Sequence, residues 1–189
     1  MKALILGGTF NPVHVGHLFL AEDARSTFGY DAVIFVPAFQ PVHKEAAPIL
    51  APSHRLEMLR RAVRGHARFI VDECEIARGG PSYSIETVRS LALRHRIEGR
   101  PGFLIGDDLL AGFHTWKDAE SLAREVDLIV ARRTAAAPAP FPYPHRTLAN
   151  LLLPISSSEI RRRAAAGLTI RFLLPDEVAD YIEANALYG

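Results

Sequence analysis

The chain has 189 residues, with 22 Lys and Arg against 21 Asp and Glu, a formal net charge of +1 and 49% hydrophobic residues. That length fits about one domain, and that composition supports a packed core and excludes a disordered chain. The balanced charge excludes a strongly basic nucleic-acid arm and an acidic tail, and no apolar run approaches the roughly 20 residues that span a bilayer.

Cys74 is the single cysteine, so no disulfide closes within the chain and no cysteine-based zinc site can be built. The run from Met1 ends at Gly7 and Gly8 and is too short for a signal peptide. It reads as a first strand, and the protein reads as cytoplasmic.

In chain order, Lys2–Leu6 has the continuous apolar character of a strand buried on both faces. Val15–Phe28 carries apolar residues at helical spacing and stops at Gly29. Ala32–Val36 reads as a second strand. Ser53–Val63 reads as a helix with Ser53 as its N-cap, since Leu56, Leu59, Ala62 and Val63 share a face. Arg68–Val71 is a short strand, and Glu75–Ala77 is read as a further one. Ser84–Arg96 is an amphipathic helix, Gly102–Ile105 a strand, Ala119–Ala123 a short helix and Val126–Ala131 a strand. Leu148–Leu153 reads as another strand, and Ser157–Ala166 and Pro175–Asn185 as closing helices. Pro138, Pro140, Pro142 and Pro144 make Ala135–His145 an exposed connection.

Alternating strands and helices imply right-handed crossovers and a parallel sheet covered on both faces. The expected fold is a doubly wound α/β single domain over residues 1–189. Its ligand crevice lies beyond the carboxyl ends of the strands, after Leu6, Val36, Ile105 and Leu153.

The first of those segments runs Gly7, Gly8, Thr9, Phe10, Asn11, Pro12, Val13, His14, Val15, Gly16, His17. Glycines let the backbone approach a ligand, and N–H groups at a helix start attract phosphate. His14 and His17 stand three apart at that helix start, so they can face one way. A metal reading would need at least a third ligand. In the second segment, Ser156 and Glu159 have the spacing of a capping box, and Arg161 lies near the same helix start. Arg162 and Arg163 point elsewhere and read as solvated. In the third, Gly106, Asp107 and Asp108 follow a strand, where carboxylates hold ribose hydroxyls or serve the dipole of a helix start. Lys44, Ser84 and Trp116 have ordinary readings of their own: a surface lysine, a helix start and a packed indole. His54, His66, His95 and His145 are read as uninvolved.

Together the segments resemble the HxGH nucleotidyltransferase superfamily. Gly7–His17 matches its opening motif, and Ile155–Arg161 matches its Ile-Ser-Ser-x-x-Ile-Arg ending. Pro37 to Lys44, Pro81–Thr87, Ile105–Leu109 and Trp116 with Lys117 resemble the bacterial nicotinate-nucleotide adenylyltransferases, over essentially the whole chain. Two positions depart: the family commonly has Thr at Ser84 and Ala at Asp107, the latter change adding a charge near the ribose site.

The resemblance implies a Rossmann-like fold and adenylyl transfer from ATP to nicotinate mononucleotide, with Mg²⁺ carried on the ATP phosphates and no protein metal ligand. It implies that His14, His17, Lys44 and Arg161 do the phosphate chemistry. Gly7, Gly8, Thr9, Phe10, Gly106, Asp108, Ile155, Ser157 and Ser158 would join them in holding ATP. Lys44, Ser84 and Trp116 would hold the mononucleotide, the indole by stacking on its ring. The partners are then these small molecules, with neither nucleic acid nor membrane, and homo-oligomers stay open. Phosphopantetheine adenylyltransferases share both end motifs but lack the Ser-Tyr-Ser and Trp-Lys segments. A nucleotide sensor without catalysis is the rival from another class; both histidines and Arg161 argue against it.

Overall fold

The structure is a computed structural model that describes residues 1–42, 49–133 and 139–189. Lys44 and the first part of the proline-rich segment, 135–138, lie outside the described residues. Six parallel strands form one sheet: β1 (Ala3–Gly8), β2 (Ala32–Pro37), β3 (Phe69–Val71), β4 (Gly102–Gly106), β5 (Asp127–Ala131) and β6 (His145–Leu148). Their order is β3-β2-β1-β4-β5-β6, which is doubly wound, with the switch point between β1 and β4. Here crossovers leave to opposite sides, and the crevice opens at the ends of β1 and β4.

Side chains alternate across each strand, so the sheet feeds two cores. Leu4, Val33, Phe35, Leu104 and Ile129 face one side, and Ile5, Ile34, Phe103, Ile105 and Val130 the other. The first face is covered by α1 (Val15–Phe28), α2 (Pro52–Ala62), α6 (Ser157–Ala165) and α7 (Asp176–Ala184). The second is covered by α3 (Cys74–Arg78), α4 (Ser84–Arg94), α5 (Ala119–Glu125) and the 3-10 helix Asp107–Thr115. Truncating a wholly buried side chain such as Leu122 to alanine would cost about 2–5 kcal/mol.

Three expectations are corrected. Glu75–Ala77 belongs to α3 and not to a strand, because Asp72 Oδ1 accepts the Cys74 N–H at 2.9 Å and turns the chain. Leu148–Leu153 is not a strand: β6 begins at His145, inside the supposed loop, and ends at Leu148. Asn150 stops it, since its amide bonds both the N–H and the carbonyl of Arg132 at 2.9 Å and takes over the ladder's partners. Leu151, Leu152 and Leu153 are left exposed. Ser53 is not a cap either. Pro52 takes the first position of α2, where its missing N–H is no loss, and Ala51 precedes it.

The proline-rich segment is less solvated than its sequence suggests. The rings of Phe141 and Tyr143 pack edge-on to Phe113 at 5.2 and 5.0 Å. Cys74 is buried at the far side of the sheet. Burial, and next the Asp72 carboxylate, push its thiol up to about 12. At pH 8 the native protein is expected to react with a thiol-specific disulfide reagent at least about a hundredfold more slowly than the unfolded chain. A native rate like that of the unfolded chain would show that α3 opens readily.

Candidate active site

The loop after β1 crosses the carboxyl end of the sheet and feeds α1. His14 is the N-cap of that helix, in extended conformation and nearly buried. Its backbone N–H donates to His17 Nδ1 at 3.2 Å. The lone pair is thereby on Nδ1, and the neutral ring carries its proton on Nε2 as a donor. The two imidazoles stack at 3.8 Å between centroids, and Phe10 meets His17 edge-on at 5.2 Å. Gly16 leaves room for this stack: a Cβ there would lie 3.0 Å from His14 Nδ1 and crowd the ring.

His17 stands where two cavities join. The larger, about 650 Å³, is lined by Gly7–Asn11, Pro41, Val42, Gly106, Trp116 and Arg161, among others. The smaller, about 250 Å³, is lined by His14, Gly16, Asp108, Asn150, Pro154 and Ile155, among others. His17, Leu20, Arg133 and Ser156 line both. Phe10 holds φ at +48°, a costly backbone for a bulky residue, within the loop that lines the larger cavity.

The start of α6 closes the site from the other end of the sequence. Ser156 Oγ accepts the Glu159 N–H at 3.1 Å, as the capping pattern predicts. The reciprocal half does not form, because the Glu159 carboxylate turns to Arg162 at 2.7 and 2.8 Å. Arg163 is not simply solvated, since its Nε donates to the Thr169 carbonyl at 2.8 Å. Ser157 Oγ donates to the Pro12 carbonyl at 2.9 Å, and Arg161 Nη1 to the Asn11 carbonyl at 2.9 Å. Arg161 Nη2 donates to Ser158 Oγ at 3.1 Å. The α6 start is therefore bolted to the α1 loop, and two helix N-termini converge on one cavity.

After β4, Asp108 forms an ion pair with Arg133 at 3.1 Å. Gly106 leaves room for it, because a Cβ there would lie 2.5 Å from Arg133 Cδ and closer still to the Asp108 carboxylate. The Asp107 carboxylate is buried and accepts the Arg133 backbone N–H at 2.9 Å. Its extra charge is thus taken up beside β5, and among the described residues it lines neither cavity.

Trp116 is half-buried on the wall of the larger cavity, backed by Phe113 at 5.0 Å and Phe103 at 6.4 Å. Ser84 begins α4, but the cavity residues from its neighbourhood are Ser82 and Glu75. Ser82 Oγ accepts the Phe39 N–H at 3.0 Å, and the buried Glu75 carboxylate accepts Thr87 Oγ at 2.5 Å. Among the polar cavity residues, Arg132, Arg133, Asn150 and Glu75 are those that sequence reasoning missed. Arg133 had a signal available, since it follows β5 at the carboxyl end of the sheet, where the crevice rule applies equally. Among the described residues, no three or more His, Cys, Asp or Glu side chains converge as metal ligands, and no helix is long and apolar enough to cross a membrane.

Comparisons with known proteins give the family and the fold. Residues 5–163 match the model of the cytidylyltransferase-like family. A protein of Borrelia garinii subsp. bavariensis, described as a probable nicotinate-nucleotide adenylyltransferase, is 38% identical over 188 residues, covering 100% of this chain and 95% of its own. One of Symbiobacterium thermophilum with the same description is 39% identical, covering 99% and 95%. The fold is that of the Plasmodium falciparum nicotinic acid mononucleotide adenylyltransferase, solved in complex with NaAD, at a TM-score of 0.78, 18% identity and coverage of 100% and 98%. With two joined cavities around a paired-histidine helix start, and relatives matched along its whole length, the chain belongs to the nicotinate-nucleotide adenylyltransferases of the cytidylyltransferase-like family.

Proposed function

We infer that the protein transfers adenylyl from MgATP to nicotinate mononucleotide, giving deamido-NAD and pyrophosphate, in NAD biosynthesis. The observation that carries this reading is the position of His17, the imidazole shared by both cavities. A reaction that joins two nucleotides through one phosphate needs its charge stabiliser at that junction.

The smaller cavity suits adenosine, with Asp108 toward ribose, while the larger suits the ATP phosphates along Gly7–Phe10 and Arg161, and beyond them the mononucleotide, with Trp116 toward its ring. The attacking atom is a phosphate oxygen of the mononucleotide. It is already anionic at pH 7, since its second pKa is about 6, and no general base is needed. It bonds to the α-phosphorus, and the bond to the pyrophosphate oxygen breaks. What the protein supplies is alignment of two polyanions and stabilisation of the charge on α-phosphate and leaving group. His14, His17, Arg161 and both helix N-termini are suited to that work, and Lys44 is proposed to join them. Mg²⁺ is part of the MgATP substrate in this reading.

One domain over 1–189 suffices, since a single sheet carries both cores. The partners proposed are these small molecules, with neither nucleic acid nor membrane, and a homo-oligomer stays open. The setting proposed for this reaction is cytoplasmic, where ATP is at hand.

Pyrophosphate release from MgATP should be fastest with nicotinate mononucleotide when it is compared with nicotinamide mononucleotide and phosphopantetheine. Fastest release with phosphopantetheine would overturn the reading. Arg161→Ala is expected to raise KM for MgATP about tenfold or more, because it removes charge-assisted bonds to phosphate. It should also lower Tm, since the Asn11 carbonyl loses its donor. An unchanged KM with a lowered Tm would leave Arg161 as only a strut for Asn11.

A further inference from the structure

Arg55 is the largest wholly buried side chain among the described residues, at 0% exposure on the first turn of α2. Its guanidinium makes no ion pair among the described residues. Instead it donates to three backbone carbonyls from three segments: Nη1 to Thr9 at 2.8 Å, Nε to Leu50 at 3.0 Å and Nη2 to Phe39 at 3.3 Å. Burying a cation without a carboxylate is expensive, and apolar residues of similar volume fill a core at lower cost. Burial correspondingly lowers the pKa of the guanidinium. The three carbonyls point to what the arrangement does. Thr9 belongs to the loop on the cavity floor, and Phe39 and Leu50 adjoin the cavity residues Ala38, Pro41, Val42 and Ile49.

The carbonyl of Thr9 and the N–H of Phe10 belong to one peptide plane and, in a trans peptide, point in opposite directions. A donor that grips the Thr9 oxygen from the core therefore turns the Phe10 N–H away from the core. It also polarises that N–H and strengthens it as a donor. We propose that Arg55 is a positioning residue for adenylyl transfer, which sets the Thr9–Phe10 peptide so that its N–H faces the substrate phosphates while tying the opposite wall to the same point. The proposal rests on the reading of this cavity as a nucleotide site, but its test does not require turnover. A lysine does not replace Arg55, because one ammonium on a flexible stem cannot span a fork of three fixed carbonyls.

Arg55→Lys and Arg55→Met are compared with the wild-type protein by equilibrium dialysis of labelled ATP and labelled adenosine, well below each variant's Tm. The expected result is a loss of ATP affinity of about tenfold or more in both variants, the value of a phosphate hydrogen bond, with adenosine binding unchanged. Wild-type affinity for ATP in either variant would overturn the proposal, as would equal losses for ATP and adenosine. A measurement on the wild-type protein keeps the test open if the variants do not fold. Inorganic pyrophosphate should move the Phe10 amide proton downfield in a nitrogen-resolved NMR titration. A Phe10 resonance that stays fixed while others in the loop move would overturn the proposal. Pyrophosphate release with the mononucleotides decides the reaction separately, so the two failures are distinguishable.

Discussion

Replacing His17 by alanine is expected to lower kcat about 10²–10³-fold at saturating MgATP and nicotinate mononucleotide, the usual loss for one preorganised charge stabiliser. The ring is fixed before substrate arrives, with Nδ1 held by the His14 N–H at 3.2 Å and one edge against Phe10. Reorientation therefore costs little as charge moves onto the phosphate. The substitution also removes an acceptor from the start of α1, at about 0.5–2 kcal/mol. In a domain of this size that lowers Tm by only a few degrees, about 2–4 °C per kcal/mol, and leaves the protein folded. Stopped assays with saturating substrates, beside a thermal melt, separate the two effects. A kcat near that of the wild type would remove His17 from the phosphate site, whatever the melt shows.

Nicotinate mononucleotide should be used more than tenfold better than the nicotinamide form, measured as kcat/KM at saturating ATP. A carboxylate only accepts hydrogen bonds, whereas an amide also presents an NH₂ donor. Ser82, which lines the larger cavity with Trp116, leads directly into α4, whose first N–H groups have no partners within the helix. A donor facing a donor leaves a buried group unpaired and costs roughly 1–3 kcal/mol, which is about 5- to 150-fold. The helix start adds further bias toward the anion. Opposing charge is contained, because Glu86 is ion-paired with Lys117 at 2.6 Å and Glu75 is occupied by Thr87. In the proposed reading Trp116 stacks on either ring, so Trp116→Ala should weaken both substrates about equally and leave their ratio in place. Equal kcat/KM for the two, or a preference for the amide, would move the protein to a relative with nicotinamide or dual specificity.

The α1 helix was legible to the residue, because its limits are set locally by the loop before Val15 and by Gly29, which takes φ +72°. Leu148–Leu153 misled for a physical reason. Hydrophobic runs report burial in a sheet only if the ladder continues, and Asn150 ends it through bonds to Arg132, 18 residues away in sequence. The glycine loop, the paired histidines and the Ser156 cap could be read from short spacings. The Arg133–Asp108 pair, the Arg55 fork and the Glu75–Thr87 bond could not, since each depends on which distant segments the fold brings together. Ser84 illustrates the finer limit: the motif located the turn, while the side chains on the cavity wall are Ser82 and Glu75.

The loop between β1 and α1 is among the first parts of the chain to be made and is held almost wholly by later ones. Thr9 waits for Arg55, Pro12 for Ser157 and the Asn11 carbonyl for Arg161. Asn11 Oδ1 accepts from the Leu50 N–H at 3.3 Å and from the Tyr188 hydroxyl at 3.0 Å, the latter across 177 residues. Contacts of such sequence separation repay their loop-closure entropy late, so a growing or truncated chain can zip β1 to β2 well before its nucleotide loop is set. The central strands can thus exist as a scaffold while the protein is still unable to grip a phosphate. Competence to bind nucleotide then reports that α6 and the segment around Tyr188 have docked, which makes ligand affinity a readout of the last stage of folding.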